Sequence, residues 1–238
     1  MIKEALEYIV GLRKPEILEV GNHIYSDKPL HRIHFIPEAS PFDVSTLTSF
    51  VEYIKAGIDT MPEKMIIHVV SPTRVCLMSP LNVERDREYL ITADADIPEF
   101  RYGQFMGHEN FLISLQSKFI SGEDRELLLK FAGTVESGTV AQYGDDGVTQ
   151  KATIKTGIAS KGEAIVPSPV KLRPFRTFIE VEQPESSFIF RMRQNDRDGV
   201  ECAIFEADGG AWKNAAMNNI KKYLQAELKE FPQFTVIS

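Results

Sequence analysis

The sequence predicts an α+β fold: a largely antiparallel sheet built from hairpins, with packed helices and a long C-terminal helix. Three observations carry this. Two pairs of apolar runs flank Asp-Gly-type turns, at Gly144-Asp145-Asp146-Gly147 and at Asn195 to Gly199, and such turns close antiparallel strands. Helical stripes sit at 43–58 and 210–230. Strands are joined by hairpins more often than by helical crossovers, which disfavours a doubly wound parallel sheet.

Taken in order, residues 2–13 place Ile2, Ala5, Ile9 and Leu12 on one helical face. In 43–58, Val44, Leu47, Phe50, Val51, Ile54 and Ile58 recur at helical spacing. Asp43 or Ser45 is expected to cap that helix, by offering an oxygen to its free amides. Lys64 to Ser71 reads as a buried strand that pairs with Arg74 to Met78 through Ser71-Pro72-Thr73. Residues 108–119 and 123–132 read as a helical hairpin broken at Ser121-Gly122. Strands follow at 139–143 and 148–155. At 188–194 Phe188, Phe190 and Met192 alternate with Ile189, Arg191 and Arg193, and this strand pairs with 200–205. The last helix carries Trp212, Ala216, Ile220, Tyr223, Leu224, Leu228 and Phe231, with Gly209-Gly210 before it and Pro232 after it. The expected organisation is one domain over 1–238, with any seam near 94–108 or 133–137.

The chain has 238 residues and a net charge of −7. That balance disfavours a general duplex-DNA binder, because neutralising phosphates needs concentrated positive charge. Cys76 and Cys202 each sit among apolar neighbours and read as small buried hydrophobes in a reducing compartment. Glu4 and Glu7 interrupt the apolar N-terminal stretch, which argues against an export signal. No apolar run is long enough to span a membrane. The expectation is a cytoplasmic protein.

Motifs for catalysis are tested by spacing. His31 and His34 lie three positions apart in an extended stretch, with two residues between them, and so face opposite sides; His23, His68 and His108 lack a metal-type partner in sequence. Ser168-Pro169-Val170-Lys171 and Lys155-Thr156-Gly157 imitate fragments of penicillin-recognising enzymes. The serine would need to open a helix, and Pro167 and Pro174 make 166–174 extended; the triplet also precedes the serine instead of following it. Asp94 and Asp96, Asp145 and Asp146, and Asp196 and Asp198 do not match a calcium-loop frame. No catalytic residue, metal or cofactor is assigned.

The most suggestive patch is basic and aromatic: Lys171, Arg173, Phe175 and Arg176, with Arg191 and Arg193 on one strand face. Six basic and four acidic residues fall in 161–193. Such residues on a sheet stack bases and hold phosphates. The competing reading puts Phe175, Phe178, Phe188 and Phe190 in the core and pairs the arginines with Glu180, Glu182 or Glu201. For the last helix, core packing is the default; the alternative uses Trp212, Ile220, Tyr223, Leu224 and Leu228 as a dimer interface.

The run from Val166 to Phe178, with Glu182 to Glu185, Phe188 to Arg191, Phe205 to Trp212 and Tyr143 to Lys151, resembles an uncharacterised family of bacteriophage and prophage proteins. The likeness covers mainly 131–225. It implies viral origin and expression in the cytoplasm of a bacterial host, and it transfers no catalytic residue. The expected function is that of a non-enzymatic accessory protein, self-associated and binding a host protein or a small nucleotide in counter-defence or takeover. The alternatives are a nucleic-acid accessory factor in phage replication or recombination, and a hydrolase with dispersed carboxylates.

Overall fold

The computed structural model describes residues 2–11, 15–21, 23–29, 39–142, 150–155, 161–195 and 199–238. The turn at 144–147, residues 196–198, His31, His34 and the Thr156-Gly157 half of the Lys-Thr-Gly triplet lie outside the described residues. The chain divides into Met1–Glu38 and Ala39–Ser238; positions 94–108 and 133–137 fall inside the second unit.

The first unit contains α1 (Ile2–Gly11), β1 (Ile17–Val20) and β2 (His23–Ser26). The last two residues of the expected helix, 12 and 13, lie outside the described residues. The β1–β2 hairpin pairs Leu18 with Tyr25 and Val20 with His23, and Ile17 with Ser26 and Glu19 with Ile24. Gly21 turns it at φ +65°, a left-handed conformation that glycine adopts without a Cβ clash.

Among the described residues, the second unit holds three sheets and two hydrophobic cores. In the first sheet, β4 (Met65–Ser71), β5 (Arg74–Met78) and β6 (Tyr89–Asp94) form an antiparallel meander. Its edges are β14 (Phe234–Ile237), parallel to β4, and β3 (Phe42–Val44), parallel to β6. These two pairs are the parallel exceptions to the antiparallel expectation. Helices α2 (Leu47–Ala56) and α5 (Ala211–Glu227) supply Leu47, Phe50, Val51, Ile54, Ile220 and Leu224 to the core of this sheet, against Met65, Ile67, Val69, Val75, Leu77 and Ile91. The cap of α2 is Thr46, whose Oγ1 accepts the Ser49 N–H at 3.1 Å. This corrects the expected Asp43 or Ser45: residues 42–44 are spent on β3, so the helix opens later. Glu180 adds a second cap from across the chain, accepting the Thr48 N–H at 3.1 Å.

The second sheet has the order β11 (Val170–Leu172), β12 (Ser186–Asn195), β13 (Gly199–Glu206), β7 (Met106–Gly107), all antiparallel. Helices α3 (His108–Lys118) and α4 (Glu123–Thr134) bring Phe111, Leu115 and Leu128 into a core with Phe188, Phe190, Met192, Cys202 and Ile204. The expected alternation along 188–194 is thus resolved with the phenylalanines inward. His108 Nε2 lies 2.7 Å from the Ala132 carbonyl, tying the start of α3 to the end of α4. The third sheet joins β8 (Val135–Gln142), β9 (Gln150–Lys155) and β10 (Lys161–Ile165). Gln150 accepts the Met192 N–H at 2.9 Å, linking β9 to β12 through a buried amide.

Both thiols are inside the protein. Burial pushes Cys202 up to about 12, with Glu201 adding to the shift. Burial also raises Cys76, against the pull of Arg74. A thiolate is the reactive species, so neither cysteine should react with a disulfide reagent in the native protein within the time both take in guanidinium. Rapid titration of one native thiol would contradict this.

Candidate functional site

The six residues of the basic and aromatic patch do not form one surface. Arg176 is only 4% exposed. Its guanidinium lies 4.0 Å over the Trp212 ring and 5.6 Å from the centroid of Phe188. Nη1 donates to Glu206 Oε1 at 2.7 Å, and Nη2 donates to Ser186. Ser186 Oγ in turn donates to Asp208 Oδ2 at 2.6 Å, and Asp208 Oδ1 accepts the Gly210 N–H at the start of α5. Burial lowers the affinity of Arg176 for its proton, opposed by the fields of Tyr102, Glu206 and Asp208. The cluster fastens β12 and β13 to the first turn of α5. Its arginine is therefore withdrawn from the proposed nucleic-acid face.

Arg193 pairs with Glu201 at 2.5 Å and lies 4.2 Å over Phe105. Of the three expected acidic partners, Glu201 is the one used for an arginine; Glu180 caps α2, and the Glu182 carbonyl accepts from Asn219. Arg191 Nη1 donates to the Phe190 carbonyl at 3.0 Å and to Ser168 Oγ at 3.4 Å. Lys171 and Arg173 share Glu185, at 3.8 and 3.6 Å. They line a cleft of about 310 Å³ with residues 120–125, where Glu123, Asp124 and Glu185 match the charges of Arg125, Lys171 and Arg173. Asp124 also accepts the Lys171 backbone N–H at 2.6 Å, which blocks that position on edge strand β11. Phe175 is half-buried, and Phe178, Phe188 and Phe190 are core residues.

The stripe on α5 is spent inside the second unit. Ile220 and Leu224 are wholly buried and Leu228 nearly so, while Tyr223 packs against the same core. Ile220, Leu224 and Leu228 are thus core residues, as the default reading expects, and are not available to a second copy, while Tyr223 keeps part of its surface in solvent. Trp212 is half-buried beneath Arg176.

Among acidic candidates, Asp94 receives a two-pronged pair from Arg74 at 2.8 and 2.9 Å, and Asp96 is exposed. No group of three or more potential metal ligands occurs among the described residues. Ser168 precedes strand β11, so Lys171 is not one helical turn from it.

Two further surfaces stand out. On the β1–β2 hairpin, the register places Leu18, Val20, His23 and Tyr25 on one face, with Leu18 63%, Val20 55% and Tyr25 55% exposed. The signal was present as two short apolar runs around Gly21-Asn22. The other is an apolar groove of about 420 Å³ at the end of α2, lined by Ile54, Met61, Pro62, Phe231 and Phe234 among others. Its parts are distant in sequence, so no local pattern announces it.

Comparison with protein-family models, with curated proteins and with solved structures returned no match.

Proposed function

We propose that the protein is a phage accessory protein that acts by binding, as a homo-oligomer, on a host protein in the bacterial cytoplasm. The observation that carries this reading is the uncovered hairpin face of Leu18, Val20, His23 and Tyr25, which holds no carboxylate or ammonium group. A two-stranded hairpin is marginal on its own in water and needs a second layer over its apolar face. A second copy supplies one without like-charge repulsion. The first 38 residues are close to neutral, with five basic and six acidic residues. The resemblance over 131–225 supports the viral and cytoplasmic part of the reading. Between the two targets, the pairing of Arg176, Arg193, Lys171 and Arg173 with carboxylates favours a protein over a nucleotide, since phosphate binding draws on cations free to exchange their counterions.

Sedimentation velocity of the full chain across the micromolar range tests the assembly. The expected result is an oligomer that Leu18→Glu with Tyr25→Glu converts to monomer, weakening association at least about 100-fold by placing carboxylates in an apolar contact. Far-ultraviolet circular dichroism should stay unchanged. A wild-type monomer at every concentration, or a double variant that assembles as well as wild type, would contradict the proposal.

A further inference from the structure

The groove at the end of α2 carries an inference that goes beyond self-association and rests on a different element. We infer that it docks an extended segment of a partner protein bearing an apolar anchor flanked by lysine or arginine. The apolar half of the argument is its lining. Ile54 is buried at its wall, and Met61, Phe231 and Phe234 are half-buried core residues whose remaining surface opens into about 420 Å³. Phe231 and Phe234 meet edge to face at 6.5 Å, which fixes the shape of that wall. Ile58, next to the lining residues Gly57 and Asp59, is 78% exposed. Concave, mainly apolar sites of this size with a few polar groups are the usual form of binding sites.

The charged half is the rim. Lys55 is its one cation among the described residues, and it is already paired with Glu227 at 2.7 Å. Asp59 accepts the Tyr53 hydroxyl at 2.7 Å, which leaves its charge in place. Glu63 is exposed and has no ion-pair partner among the described residues. The C-terminal end of α2, at Gly57, adds the negative end of the helix dipole. Apolar wall and negative rim together match an apolar side chain with a neighbouring cation.

The backbone sets the form of the partner. Phe234 belongs both to the groove and to β14, which is an edge strand of its sheet. The groove opens at the first residue of that strand, so a segment anchored in the groove and continuing alongside β14 would gain main-chain hydrogen bonds, the mode of strand addition.

Selection of random decapeptides displayed on phage, against immobilised full-length protein, tests this without knowing the partner. The Met61→Lys variant serves as the counter-selection target. The expected result is enrichment of sequences with one or two large apolar residues beside lysine or arginine. A synthetic peptide from that pool should bind Met61→Lys more than about tenfold more weakly in fluorescence anisotropy. Because Met61 is half-buried, the exposed change Glu63→Lys gives a second reading: affinity about threefold lower, with a shallower salt dependence. No enrichment on the wild-type protein, enrichment of acidic or purely polar sequences, or equal binding to both variants would overturn the inference. Peptide binding by the hairpin double variant, which leaves the groove intact, separates this result from failure of the assembly reading.

Discussion

Replacing Arg176 by methionine should cost the protein about 2–3 kcal/mol, the scale of losing charge-assisted hydrogen bonds from a buried guanidinium whose carboxylate partner, Glu206, is 40% exposed to solvent. For a chain of this size that is a fall of roughly 4–12 °C in Tm. The stem of the side chain survives this change, so the loss isolates the guanidinium. Without it, Glu206 and Ser186 lose their donor and the Trp212 ring loses its cation. Lysine should not restore the loss: one ammonium cannot reach Glu206 and Ser186 in a planar fork while stacked on Trp212. Thermal unfolding of Arg176→Met and Arg176→Lys checks this, and a lysine variant as stable as wild type would contradict the fork. The same cluster gives the protein an acid sensitivity. Burial acts to raise Asp208, but hydrogen bonds from Ser186 and from the Gly210 and Trp212 amides, with the Arg176 charge, outweigh it and hold its carboxyl below the usual range. A carboxylate with a depressed folded pKa adds stability above the ordinary carboxylate range, and loses it as pH falls through the folded value. The stability gap between wild type and Asp208→Asn should therefore be full at neutral pH and narrow on acidification.

Gln183→Leu should be comparably damaging, at about 2–4 kcal/mol, since each buried polar group left unpaired costs roughly 1–3 kcal/mol. Gln183 is 3% exposed. Its Oε1 accepts the amides of Arg176 and Thr177 at 3.0 and 3.2 Å, and its Nε2 donates to the carbonyls of Phe178 and Val181 at 2.9 and 3.3 Å. One side chain thus satisfies the backbone of a loop that carries Phe178 and Val181 into the first core. Leucine fills similar space and bonds none of these groups. Gln183→Glu keeps the acceptor and loses the donor, so it should fall between leucine and wild type at neutral pH. Chemical denaturation of the three proteins checks the order; equal stability of leucine and wild type would remove Gln183 from this role.

The two elements behind these predictions differ in how well sequence reveals them. The β12–β13 hairpin was legible because its period-two alternation sorts Phe188, Phe190 and Met192 inward by local pattern alone. The core stripe of α5 was legible for the same reason at helical period. Arg176 reads in sequence as one more cation of a basic surface. Its burial depends on Trp212, Glu206 and Asp208, which the fold brings to it from another strand and helix. Edge strands β3 and β14 were missed because their parallel partners lie far along the chain: Phe234 pairs with Met65, and Phe42 with Ile91. Gln183 gives no local signal, since an isolated glutamine carries no period. The hairpin of the first unit, by contrast, is readable from local sequence: its four residues per strand are short, but they flank Gly21-Asn22 in the chain.

Hydrogen exchange of the β1 and β2 amides as a function of protein concentration tests the central claim most directly, because it reads the proposed contact where it lies. The account predicts that protection at Leu18, Val20 and Tyr25 rises with concentration in parallel with the oligomer, while the amides of β12 and β13 stay protected throughout. Hairpin amides that exchange at the same rate at every concentration would contradict it.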